Sequence, residues 1–379
     1  MATFNQIYTM VNDATAQMYG SEALTVKDTS SLVSLGEKIL SSDTDKEVFF
    51  KTLVDRIART IVAIREFETK ERSVKRDAVN WGLFVQKISY KRKTAVENPS
   101  YDFTTQANPF DVKPSTETIQ KIFGENIGVW SYEDVIPYDQ MFTAFNSASA
   151  MGAVIAGIYT NINNEYTMAK AALENLAVDT LIAGVIKKGK ATQKRNVLAE
   201  FNTANGTNLT VAQALKNADF IKYVNREIYT TVGFMQEANE LYNLENIIRQ
   251  TPKDKLVVEI LGMYASASAV YLEADTYHNE LVKLPRYEEV NYWQGMGTEA
   301  SFEDVSSIKI KNTGIDAEEI SQSGIIACIH DYDAVAAFVD KPETGSMPNP
   351  RQRCLNVFYQ AARNFGVDLS EKCVVFYMA

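Results

Sequence analysis

The residues able to do chemistry are few, and their spacing is poor. Gly295-Met296-Gly297-Thr298-Glu299-Ala300 matches G-x-G-x-x-A, the turn that brings backbone close to the pyrophosphate of a dinucleotide. That turn needs a strand before it, a helix after it and an acid about twenty residues on. Asn291 to Gln294 makes a weak strand and Ser301 to Val305 shows no clear helix, so the context fails. The two histidines lie in Asp275-x-x-His278-x-Glu280 and His330-Asp331-x-Asp333. Neither trio has metal-ligand spacing or an oriented acid–base pair. His330 ends an apolar run and reads as structural. No Ser occupies a G-x-S-x-G turn, and no Walker A sequence is present. Cys328, Cys354 and Cys373 form no CxxC. Cys328 is flanked by Ile326, Ala327 and Ile329, a setting that raises a thiol pKa and makes it inert. No catalytic residue, cofactor site or metal site is therefore expected.

Composition narrows the class further. The chain has 379 residues, 46% hydrophobic and 23% charged, so disorder is excluded and two or three domain-sized units are expected. The net charge of −10 excludes a global footprint for nucleic acid. Lys91-Arg92-Lys93 and the cluster Lys187, Lys188, Lys190, Lys194 and Arg195 read as solvated surface rather than phosphate grips. The first basic residue is Lys27, which leaves no positive leader for a secretory signal. Gln140 to Asn164 holds no charge, but Asn and Ser dilute it. It reads as a tightly packed internal helix, not a membrane span.

The elements that must hold whatever function exists are more informative. Residues 1–44 form a polar arm with helical patches near Phe4 to Met18 and Ser31 to Leu40. Phe50, Leu53, Ile57, Ile61 and Ile64 recur at helical steps and predict an amphipathic helix over 45–64. Residues 65–137 change character. Strand-like runs at Trp81 to Tyr90 and Gly128 to Tyr132 flank Asn-Pro and Lys-Pro turn chemistry, with a short helix expected near Ser115 to Phe123. Some seventy residues with so little apolar content cannot build a core of their own and must lie on something else. Two helices are expected next, Tyr138 to Tyr159 and a longer one from Asn163-Asn164 to Lys188. Mixed α/β follows. Thr210-x-x-Gln213 predicts a capping box, and a helix is expected over Phe220 to Asn239. Strands are expected at Lys255 to Leu261, Ala269 to Glu273, Ser306 to Lys311, Gly324 to His330, Ala334 to Val339, Cys354 to Asn364 and Cys373 to Tyr377.

Charge divides unevenly along this order. Arg65 to Lys93 carries nine bases against four acids, and Met235 to Ile320 carries sixteen acids against seven bases. One reading is two solvated faces. The other is a basic excursion that meets an acidic body on a second copy, with Arg72, Lys75, Arg76, Lys91 and Arg92 at the subunit interface.

The order resembles the major capsid proteins of tailed bacteriophages, with the Hong Kong 97-type fold, and is most similar to the head proteins of the short-tailed, protein-primed podophages. The resemblance rests on Leu53-Val54-Asp55-Arg56-Ile57, Gln120-Lys121-Ile122-Phe123, Glu165-Tyr166-x-Met168 and Asn349-Pro350-Arg351, collinear over about Asp45 to Tyr377. It implies an α+β subunit with no catalysis and no cofactor. Residues 1–44 would be an N-terminal arm and 45–64 the first peripheral-domain helix. Residues 65–137 would be an extended loop lying across a neighbour. The peripheral domain with a long spine helix would take 138–204, the axial domain 205–340, and the return to the peripheral domain 341–379. It further implies pentamers and hexamers of the chain, a portal and a separate scaffolding protein as partners, enclosed double-stranded DNA without sequence-specific binding, and no membrane. The location implied is the virion, after assembly in the host cytoplasm. An encapsulin-like compartment shell shares these implications. A nucleotide-dependent soluble enzyme using Gly295 and Gly297 is the rival of another class, and a tail or baseplate component is a third.

Overall fold

The computed structural model describes residues 4–20, 25–42, 45, 48–49, 52, 72–74, 76, 85–90, 118–123, 126–137, 148–270, 287–294, 304–312, 314–316, 318–340 and 343–379. In chain order, α1 (Phe4–Tyr19) and α2 (Thr29–Leu40) precede strands β1 (Val85–Tyr90), β2 (Thr118–Phe123) and β3 (Gly128–Pro137). A 41-residue helix, α3 (Ala148–Lys188), follows. Then come β4 (Lys194–Asn196), α4 (Val197–Asn205), the single turn α5 (Val211–Ala214), α6 (Ala218–Gln236), β5 (Leu256–Leu261), α7 (Gly262–Ser268) and β6 (Glu288–Val290). The remaining strands are β7 (Ile308–Ile310), β8 (Ile320–Gln322), β9 (Ile325–Asp331), β10 (Val335–Val339), β11 (Glu343–Asn349), β12 (Cys354–Val367) and β13 (Cys373–Tyr377).

Continuous apolar runs build one sheet with two packed faces. Its strand order is β4-β13-β9-β5-β6, with β4 parallel to β13 and β6 parallel to β5. Every residue of β9 is buried, as a strand covered on both sides requires. Val374 and Phe376 point to one face and join Val258, Ile260, Ile326 and Ile329 beneath α4, α6 and α7. Cys373 and Val375 point the other way, with Leu261 and Cys328, against Leu173, Val178, Leu181 and Val185 of α3. Each fully buried aliphatic side chain of this kind contributes about 1.5–3 kcal/mol. Asn196 and Asn217 cap α4 and α6 by accepting from the Ala199 and Phe220 amides.

The second sheet is antiparallel and centres on β12. Strand β3 runs along one side of β12, while β11 and β10 share the other. The inner side chain Trp130 meets Tyr166 of α3 edge-on, with ring centroids 6.4 Å apart. Thus α3, about 60 Å long at 1.5 Å per residue, backs both sheets. The antiparallel pair β1-β2 extends neither sheet, and among the described residues it has no third strand.

Several expectations need correction. The two helices expected over 138–188 are one helix from Ala148 onward, because two Asn residues cost a helix only tenths of a kcal/mol each and packing overrides them. In place of the short helix expected near Ser115 to Phe123, Thr118–Phe123 is a strand; its β-branched residues register against β1. Ala269 and Val270 continue a helical turn after α7 instead of starting a strand. Strand β11 escapes sequence reading because it contains Gly345 and Pro348, which an edge strand tolerates. The capping box at Thr210 is present, with the Gln213 Oε1 accepting from the Thr210 amide at 3.0 Å. Most of the helix expected over 45–64 lies outside the described residues.

Candidate assembly surface

The segment 65–137, expected to leave the body, is anchored to it at both ends. At its far end, residues 128–137 are β3, hydrogen-bonded to β12 over ten register pairs. At its near end, Val74 is buried and Ala337 of β10 pairs with the segment on both sides: its amide donates to the Val74 carbonyl, and its carbonyl accepts from the Arg76 amide, each at 3.0 Å. Ser73 donates to Glu288 of β6.

Arg72 and Arg76, two of the residues assigned from sequence to a subunit boundary, are engaged within their own chain. Arg72 enters a buried pocket between α3 and β5. Its Nη2 lies 3.0 Å from Oε2 of Glu259, and its Nη1 donates to Oδ1 of Asn175. Asp179 of α3 is also fully buried there. Burial pushes its carboxyl well above the usual carboxylate range, the Arg72 cation works the other way, and the Glu259 carboxylate adds to the rise. Arg76 stacks its guanidinium 3.4 Å from the ring centroid of Tyr332 and donates to the carbonyls of Ser73, Tyr332 and Val335. Lys75, Lys91 and Arg92 lie outside the described residues.

Sequence reasoning missed Lys87, the described cation on the hairpin itself. Its Nζ donates to Oδ2 of Asp368 at 2.8 Å, to Oε1 of Glu371 at 2.7 Å and to the Asp333 carbonyl at 3.0 Å. Burial opposes the ammonium charge, but Asp368 and Glu371 outweigh it and raise the lysine pKa. A lone Lys in a strand with acids more than 280 residues away leaves no local signal in the sequence. Next to it, Ile88 is more than half exposed.

The β3–β12–β11 sheet turns an uncovered face outward. Register places Val135 and Met347 on either side of Asn356, Glu133 and Gly345 beside Phe358, and Ser131 and Glu343 beside Gln360. Val129, Val135 and Met347 are each more than half exposed. These rows contain two glutamates and no Lys or Arg. The face is thus apolar and acidic.

The remaining candidates fall into the core or outside the described residues. His330 is buried in β9 with its Nδ1 2.8 Å from the Asp331 carbonyl. The three cysteines are free and buried; the Cys328 thiol is pushed up by its hydrogen bond with Cys373 and by burial. Gly295, Gly297 and His278 lie outside the described residues. Among the described residues no group of His, Cys, Asp and Glu is arranged for a metal, and no helix is long and apolar enough to cross a membrane.

This mixed helix-and-sheet fold is shared with chains in solved phage structures. A chain in the structure of the head fiber and inner core protein gp22 of bacteriophage P68 matches with a TM-score of 0.53 at 9% identity, over 81% of this chain and 83% of that one. A chain in the capsid of Staphylococcus phage Andhra matches with a TM-score of 0.50 at 8% identity, over 83% of this chain and 88% of that one. Residues 7–377 match the model of the Phi29-like phage major capsid protein family, and the chain belongs to that family. No curated protein matches it. Its function is that of the family: it forms the shell of a phage capsid.

Proposed function

We propose that the chain is the head-shell subunit of a short-tailed phage and has the Hong Kong 97-type arrangement. In this reading residues 1–44 are the arm, 45–64 the first peripheral helix, and the hairpin within 65–137 the extended loop. Helix α3 is the spine within a peripheral domain of residues 138–204, residues 205–340 are the axial domain, and the chain returns to the peripheral domain over 341–379. Copies meet in pentamers and hexamers, a portal and a separate scaffolding protein complete the head, and assembly proceeds in the host cytoplasm. Double-stranded DNA is enclosed without a binding site, consistent with a net charge of −10. No catalytic role is assigned.

The observation that carries this reading is the pairing of a family match over residues 7–377 with a hairpin that, among the described residues, adds no strand to its own sheets. A two-stranded ribbon is marginal alone in water and gains stability by packing on another surface. The acidic, apolar outer face of the β12 sheet on a second copy suits the basic run Lys91-Arg92-Lys93. Lys75, Lys91 and Arg92 are assigned to that contact, and Arg72 and Arg76 serve it by rooting the hairpin. Many such contacts, each modest, hold a lattice together.

The test is expression with and without a scaffolding partner, followed by negative-stain imaging. Closed shells are expected from the parent chain. Lys91→Glu with Arg92→Glu is expected to keep a folded subunit and lose shells; normal shells from that variant would remove the intersubunit role of the basic run.

A further inference from the structure

Two short crossings join the two sheets, and the segment that carries the hairpin grips both. One crossing runs from β9 to β10 through the turn Tyr332–Ala334; the other runs from β12 to β13 through residues 368–372. They are bonded to each other. The Asp368 amide donates to the Ala334 carbonyl at 2.7 Å, and the Asp331 amide donates to the Lys372 carbonyl at 2.9 Å. A chain that steps from one sheet to the next leaves carbonyls outside any ladder, and these need donors from elsewhere. The hairpin segment supplies them. Arg76 donates to the carbonyls of Tyr332 and Val335, and Lys87 to that of Asp333. Lys87 also bridges Asp368 and Glu371 in the second crossing.

The acidic side of this joint is prepared for that cation. Asp368 is held by the Ser370 amide and hydroxyl, which donate to its Oδ1 at 2.9 and 2.6 Å and leave Oδ2 for Lys87. Glu371 is shared with Arg249, whose Nη1 lies 3.4 Å from Oε1. Asp333 faces Lys255 at 3.4 Å with its carboxylate while its carbonyl serves Lys87. Glycine at position 184 lets α3 close on the same place, since a methyl there would lie 3.0 Å from the Leu369 side chain.

We infer that the joint at 332–334 and 368–372 is a hinge between the two sheets, and that Arg76 and Lys87 couple the position of the hairpin to the setting of that hinge. The inference deepens the shell reading and rests on it for its use: a neighbour that holds the hairpin thereby biases the angle between the sheets, and so the local curvature of the shell. The coupling itself belongs to the single subunit. Linkage makes it reciprocal, so loosening either side loosens the other.

The experiment is amide hydrogen exchange on dilute, unassembled subunits of the parent chain, Lys87→Met, Lys87→Arg, the double variant Asp368→Asn with Glu371→Gln, and the exposed control Lys222→Met. In Lys87→Met the amides of 332–334 and 368–372 are expected to exchange about tenfold faster, with those of α6 unchanged. Lys87→Arg and Lys222→Met are expected to stay near the parent. In the double variant the amides of 85–90 are expected to speed up reciprocally. Unchanged exchange at the joint in Lys87→Met would overturn the coupling. So would a uniform rise that includes α6, or an unchanged hairpin in the double variant. These readings do not need a shell, so they separate failure of the coupling from failure of the shell assignment. Where shells form, Lys87→Met is expected to broaden the distribution of particle diameters; a distribution as narrow as the parent's would contradict the link to curvature.

Discussion

Replacing Arg72 by Met is expected to destabilise the subunit severely, and the geometry says by how much. Arg72 is the described cation that faces the two buried carboxyls Glu259 and Asp179, with Nη2 3.0 Å from Oε2 of Glu259. Glu259 is completely buried. Removing the cation leaves its carboxylate in a low-dielectric site without compensation, a loss of about 3–5 kcal/mol. Asp179 behaves differently. Its carboxyl is held well above the usual range by burial, so the neutral amide of Asp179→Asn replaces a group that favours its neutral form. That change is expected to cost less than about 1 kcal/mol. Adding Glu259→Gln to Arg72→Met removes the stranded charge, and the pair is expected to recover about half of the single loss or more. Urea unfolding of unassembled subunits reads all three through the midpoint at constant slope. If Asp179→Asn costs as much as Arg72→Met, or if the double variant is no better than the single one, the charge assignment of this pocket is wrong.

Glycine 324 and glycine 206 give a matched comparison, both at left-handed φ, +72° and +65°. Gly206→Ala meets no atom within 4 Å and is expected to cost about 1 kcal/mol. Gly324→Ala would place a methyl 2.0 Å from the Met378 carbonyl oxygen and is expected to cost at least twice that in urea unfolding, about 2 kcal/mol or more. Lys372 is buried and donates to the Met235 and Glu237 carbonyls at the end of α6, with its pKa lowered to about 8, chiefly by burial. The unfolded chain holds that proton up to the ordinary lysine value, so the folded state gains as pH rises from about 8 toward about 10.4. The stability of the parent relative to Lys372→Met is therefore expected to move in the parent's favour across that window; a gap that narrows or stays constant would contradict the sign.

What the sequence shows about this fold follows physical range. The unbroken apolar runs Ile325 to Ile329 and Cys373 to Tyr377 are local signals, so both buried strands are readable from their own residues. The capping box at Thr210 is equally local. Strand β11 is not legible, because Gly345 and Pro348 argue against a strand and only its pairing with β12 holds it there. The continuity of α3 through Asn163 and Asn164 is also a tertiary outcome. At the assembly surface the basic excursion is legible as charge, but its roots are not. Arg72 and Arg76 look like surface charge in sequence, and only the fold brings Glu259 and Tyr332 to them. Lys87 is hidden for the same reason, since both of its acids come from the far end of the chain.

The central claim is that the hairpin is rooted in its own subunit and completed by a sibling. A cryo-EM map of the assembled shell tests it most directly. The account predicts density for the strands 85–90 and 118–123 continuing from their own β3 and joint, with the connecting segment crossing onto the β12 sheet of the adjacent subunit. A map in which that segment folds back over its own β12 sheet, with the shell closed by other contacts, would contradict it.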